Sequence, residues 1–141
     1  MKRLLAFACL SAVAFAQAPP GADYQKAVKQ AQELQAKGDL EGVIRTLAPW
    51  VGKHPDLPEA QHLVGTAYYQ QQNFSGAIRH LLAALNLETE NSAPWKQTTE
   101  VLAMAYYFSN RTQEALPLLE KAVTWNSGDT YFLYALAMTY L

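Results

Sequence analysis

A phrase written twice constrains this chain more than any other feature. "LVGTAYYQQQNFSGAIRHLLAALNL", Leu63 to Leu87, returns as "LAMAYYFSNRTQEALPLLEKAVTW", Leu102 to Trp125, with Tyr68 and Tyr106 thirty-eight residues apart. Each copy holds two apolar patterns with helical spacing, split by a polar break. A fainter copy precedes them. Ala27, Ala31 and Leu34 are followed by the breaker "KGDLEG" and then by Val43, Leu47 and Val51. Gly38 suits the left-handed end of one helix and Asp39 the cap of the next. Aligning Val43, Ala77 and Ala115 gives periods of 34 and then 38 residues. The four extra residues fall in "LETENSAPW", an enlarged loop in which Ser92 or Ala93 caps a helix and Pro94 sits near its first turn. From Thr130, "TYFLYALAMTYL" repeats the first half of the phrase through Leu136, Ala137 and Tyr140, without a second half.

The period and residue types resemble the tetratricopeptide repeat, a helix-turn-helix unit of about 34 residues with a small residue in each helix and a large one packed beside it. The first-helix tyrosine is matched by Tyr68, Tyr106 and Tyr140, with Leu34 in its place in the first unit. The preceding small residue is matched by Ala31, Gly65, Ala103 and Ala137, and the second-helix one by Ala77 and Ala115, with Val43 departing. Pro55 matches the closing proline, where Thr89 and Ser127 stand later, and the family's tryptophan is missing from every unit. The resemblance covers Tyr24 to Leu141 and implies an all-α fold, a right-handed α-solenoid. Its units are 24–57, 58–95 with the enlarged loop, 96–129, and the first helix of an incomplete fourth over 130–141. Pro49 should kink or shorten its helix, while Pro117 lies near a first turn, where a missing donor matters least.

Residues 1–16 stand apart. Lys2 and Arg3 precede an apolar run from Leu4 to Phe15 and small residues at Ala14 and Ala16. That is the layout of a secretory signal cleaved after Ala16. The run falls well short of the roughly 20 residues needed to cross a bilayer, so no stable membrane span is expected. Lipid attachment at Cys9 would leave five residues after Arg3, too short an apolar core. The reading is an exported protein, periplasmic or secreted, with a start that leans bacterial and no cysteine after processing. Residues 17–23, "QAPPGAD", read as an extended lead-in. Without Lys2 and Arg3 the chain carries 9 basic and 12 acidic residues. That mild acidity implies neither nucleic acid nor an anionic surface as partner.

No reactive constellation emerges. His54, His62 and His80 lack ligand-pair spacing, and Glu59 with His62 makes one Glu-x-x-His where a di-metal site needs two and further carboxylates. These two read as polar residues on a solvated face. Ser75, Ser92, Ser109 and Ser127 sit at turns, where a hydroxyl caps a helix. Asn73 and Asn110 begin Asn-x-Ser/Thr sequences, but in turns where asparagine is expected anyway. The glycines are scattered singly, so no phosphate loop forms. The expectation is no enzyme, no cofactor and no metal.

In proteins of this resemblance the first helices line a concave groove that binds a protein or peptide. Carried over residue by residue, the groove holds Glu59, His62 and Tyr69 from the second unit, Glu100, Met104, Tyr107 and Phe108 from the third, and Tyr131, Tyr134 and Met138 from the last helix. Gln32, Gln35, Thr66 and Gln70 lie on the same side, so the groove turns from polar to aromatic along the chain. The last aromatics fit two roles, core against a helix not present or a peptide surface. The basic residues of a terminal-carboxylate clamp are missing from these places. The implied function is a protein-interaction scaffold. Two alternatives are the leading region of a longer exported enzyme and a self-association module. The uncharged last helix either precedes further chain beyond Leu141 or packs on a second copy, a homo-oligomer.

Overall fold

A computed structural model describes residues 21–141. The expected signal at 1–16 lies outside the described residues, as does most of the lead-in. The described chain folds into seven α-helices: α1 Ala22–Ala36, α2 Leu40–Lys53, α3 Pro58–Gln70, α4 Phe74–Leu87, α5 Ala93–Phe108, α6 Thr112–Trp125 and α7 Thr130–Thr139. The class is all-α. One boundary differs from expectation. α1 begins at Ala22 rather than after Asp23, because Gly21 supplies an extended N-cap and Asp23 places its charge in the first turn, beside the positive end of the helix dipole. α5 begins at Ala93 as the sequence implied: Ser92 accepts from Trp95 N at 3.3 Å and Pro94 needs no donor in the first turn.

The turns within the three pairs are copies of one another. Gly38, Gln72 and Asn110 occupy the same place and all take left-handed backbone, with φ of 78°, 61° and 58°. The next residue's amide bonds back across each turn, Asp39 to Leu34 O, Asn73 to Tyr68 O and Arg111 to Tyr106 O, each at 2.9 Å. This closure satisfies carbonyls that a helix end otherwise leaves open. Asp39 and Asn73 then cap the second helix, accepting from Gly42 N at 2.9 Å and Gly76 N at 3.0 Å. Arg111 cannot accept; it pairs with Glu114 at 2.6 Å and lies over the Tyr106 ring, 4.7 Å from its centroid. Of the four turn serines only Ser92 caps an N-terminus by its side chain; Ser109 instead donates back to Ala105 O at the end of α5.

Each helix packs on the ones before and after it, and the odd-numbered helices also touch the next odd-numbered one. The even-numbered helices do not touch each other. Two layers result, an inner row α1, α3, α5, α7 and an outer row α2, α4, α6. Burial follows the repeat register. In the outer row Val43 and Leu47, Ala77 and Leu81, and Ala115 and Leu119 are all fully buried. In the inner row Ala31, Gly65 and Ala103 are buried, but Ala137 is exposed, because no helix follows α7 in the described chain. A Cβ added to Gly65 would lie 2.7 Å from Leu81 Cγ, so only glycine permits this approach of α3 to α4.

The buried side chains form two clusters, one within α1 to α3 and one within α4 to α7. Half-buried Tyr68 packs against both. Its ring stacks on His80 at 5.6 Å, and a Cβ at Gly76 would meet its Cγ at 3.1 Å. The expectation that Pro49 shortens its helix is not met. α2 runs through it to Lys53, since packing of Val43, Leu47, Trp50 and Val51 holds both flanks and the ring of Pro49 faces solvent. Pro117, sixth in α6, likewise leaves its helix continuous.

Candidate partner-binding groove

Two recesses open along the inner row. The larger, about 780 Å³, lies between α1, α3, the α4–α5 loop and the start of α5. Gln32 and Gln35 of α1, Glu59 and His62 of α3, and Glu88, Ser92 and Gln97 of the loop and α5 line it. Gln32 Nε2 donates to Glu59 Oε1 at 3.2 Å across α1 and α3. His62 is not on a solvated face. It is half-buried, its Nδ1 lies 2.7 Å from Thr98 Oγ1, and Thr98 in turn donates to Glu88 Oε1 at 2.9 Å. Because Thr98 has one proton and gives it to Glu88, His62 Nδ1 is the donor, which leaves Nε2 to accept from Thr66 at 3.5 Å. Burial holds the His62 pKa below its usual value and lifts that of Glu88. Both groups are therefore biased toward their neutral forms. A hydroxyl between an imidazole and a carboxyl has the parts of an activated nucleophile. Thr98 is fully buried, however, and no carbonyl can reach it.

The smaller recess, about 390 Å³, is lined by Tyr69, Gln70, Gln72, Phe74 and Phe108. Phe74 stacks on Phe108 with centroids 5.6 Å apart, Tyr69 stands 6.0 Å from Phe74, and Phe108 reaches Tyr131 at 6.5 Å. Burial, followed by a hydrogen bond with Tyr131, raises the Tyr69 pKa, so that hydroxyl stays protonated. Tyr107 meets Phe108 edge-on at 5.3 Å but is itself half-buried against the core.

The ten residues expected in one groove thus divide. Glu59 and His62 belong to the polar recess and Tyr69 and Phe108 to the aromatic one, while Tyr107 and Tyr131 meet the Phe108 ring without lining that recess. Glu100 accepts from the Asn126 side chain and ties α5 to the end of α6. Tyr134 and Met138, 62% and 42% exposed, stay on the open face of α7. Met104 is a correction: at 3% exposed it is a core residue. α5 packs on four helices, so the side of it that a terminal helix would expose is covered.

Sequence reasoning missed Glu88, Thr98 and Phe74. Thr98 and Glu88 meet because the enlarged loop folds the end of α4 back on α5, for which four surplus residues were the only sign. Phe74 carried a better signal, a large apolar residue opening a helix directly after its Asn73 cap. Among the described residues no three His, Cys, Asp or Glu side chains gather as a metal site would require, and no helix is long and apolar enough to cross a membrane. No protein-family model matches the chain, and no curated protein matches it.

Proposed function

We propose that this chain is an exported, non-catalytic protein-interaction scaffold. It is a right-handed solenoid of tetratricopeptide helix pairs that takes an extended peptide along its inner row. The observation that carries this reading is the placement of both recesses on that row, one polar and one aromatic. An inner row whose helices touch, beside an outer row whose helices do not, makes a concave surface. Exposed aromatic rings and side-chain amides offer large contact area with adaptable hydrogen bonding.

Display of a random peptide library against the immobilised protein tests it. Captured peptides should lose at least tenfold in affinity to the Phe108→Ala variant, whose ring is 46% exposed and therefore dispensable to the core. Tyr107→Ala is a poorer probe, because half of that side chain supports packing. Failure to capture any peptide refutes the reading.

The open face of α7, where Leu133, Tyr134 and Met138 are exposed, favours a second reading as a self-association module. Sedimentation at rising concentration decides it: a strict monomer at high micromolar concentration removes it.

A further inference from the structure

The open face of α7 is patterned to complement itself. Phe132 and Ala135 turn inward and are buried. On the far side Tyr134 and Ala137 stand in solvent one turn apart, flanked by Leu133 and Met138, with Leu141 just past the helix end. Gly65 and Ala103 hold the place of Ala137 in the two preceding pairs, and both are buried, Gly65 against Leu81 of the next helix. Only in α7 does a small residue of this register stand uncovered beside a large one. From Thr130 to Leu141 the chain carries no charge. The carboxyls that border this stretch are engaged: Asp129 accepts from Tyr131 N at 2.8 Å, and Glu120 of α6 accepts from the Tyr140 hydroxyl.

Charge and shape together select a second copy of this chain as the occupant. A two-fold axis sets one surface against itself, so a charged face meets its own sign and an uncharged one does not. An anionic membrane finds no lysine or arginine on this face to hold it. We propose that α7 pairs with α7 of a second copy, antiparallel across a two-fold axis, with Tyr134 of each copy laid over Ala137 of the other. The same crossing sets Leu133 of each copy opposite Met138 of the other and brings Leu141 beside the first turn of the other helix. Large meets small throughout, and Tyr134 does for Ala137 what Leu81 does for Gly65. On the scale of about 150 to 250 Å² for a large side chain, the exposed parts of these five side chains amount to about 500 Å² per copy. Both copies together bury about 1,000 Å², the threshold of a specific contact, so the dimer is weak and concentration-dependent.

This inference rests on the self-association reading, and an exchange of charges separates the two. Tyr134→Lys and Ala137→Glu each place a charge on the face, and because both positions are exposed each variant should keep the helical circular dichroism of the parent. In sedimentation at rising concentration the parent should dimerise, and each variant alone should weaken that dimer about tenfold or more. Leu82→Ala, at an exposed leucine of α4, should change nothing. An equal mixture of the two charged variants should regain the dimer, because the new lysine of one copy faces the new glutamate of the other while the second tyrosine and alanine pair stays intact. Variants that dimerise as the parent does overturn the α7 pairing and leave the self-association reading standing. Variants that fail singly and are not restored by mixing overturn the antiparallel crossing at Tyr134 and Ala137. A parent that stays monomeric to high micromolar concentration, its α7 face taken by further chain, by another protein or by lipid, overturns both.

Discussion

Gly65→Ala pits helix propensity against close packing, and the geometry decides between them. In a helix interior, alanine gains about 0.5 to 1 kcal/mol over glycine. Here the new methyl would sit 2.7 Å from Leu81 Cγ, 3.0 Å from Cδ2 and 3.1 Å from the Leu81 amide nitrogen. Carbon atoms rest at about 3.5 to 4.0 Å, so the methyl intrudes by close to 1 Å. A rotamer change moves Cδ2 but not the backbone nitrogen, so α4 must retreat as a body from α3. Overpacking of this kind costs about 1 to 3 kcal/mol, which leaves a net loss of up to about 2.5 kcal/mol after the propensity gain. Gly52, in α2, is the control, because a Cβ there meets nothing within 4 Å. Gly52→Ala should gain up to about 0.5 kcal/mol. Urea unfolding followed by far-ultraviolet circular dichroism reads both variants against the parent. Midpoint shifts of opposite sign support the reasoning. A Gly65→Ala variant as stable as Gly52→Ala would refute it, and with it the idea that glycine sets the spacing of α3 and α4.

Thr98→Val leaves His62 Nδ1 and the Glu88 carboxyl facing a methyl group and should cost about 1 to 3 kcal/mol, most of which Thr98→Ser restores; chemical denaturation of both variants tests this. Asp39→Ala and Asn73→Ala should each lose about 1 kcal/mol through the same missing cap, and a loss at one site but not the other would break the equivalence of the two turns. His62 and His80 both titrate below the usual 6.5, burial being the main cause, with Arg79 adding to it at His80. The unfolded chain therefore binds more protons than the folded one just below pH 6.5, and the stability these groups confer above that pH drains away as pH falls through the window beneath it. His62→Gln should flatten the decline of the urea midpoint between pH 7.5 and 5.5; an unchanged slope would show that His62 is not a source of it.

The row of helices was readable because its register is enforced by close contact. Gly65 against Leu81 and the fully buried Ala77 and Ala115 admit so few residue types that the period stands out in one sequence. The turns were half-readable: Gly38 and Asp39 announce themselves, whereas Gln72 takes the same left-handed backbone with no compositional sign. The polar recess was poorly readable, since Thr98 and Glu88 meet only through the path of the α4–α5 loop, and helical periodicity is blind to loop paths. Met104 failed for a related reason. A repeat pattern assigns each position one environment, but α5 has neighbours on four sides, and an all-round apolar helix in mid-array has little surface to give.

The division of the core into two clusters has a mechanical meaning. The joint between α1–α3 and α4–α7 is spanned by Tyr68 and by the contact of α3 with α4, and both recesses straddle it, the polar one from α1 and α3 to α5, the aromatic one from α3 to α4 and α5. Gly65 lies so close to Leu81 across that joint that the two halves meet in tight contact, and α3 also touches α5. The two recesses are thereby held at a set distance from each other, so a ligand long enough to fill both meets a spacing fixed before it arrives.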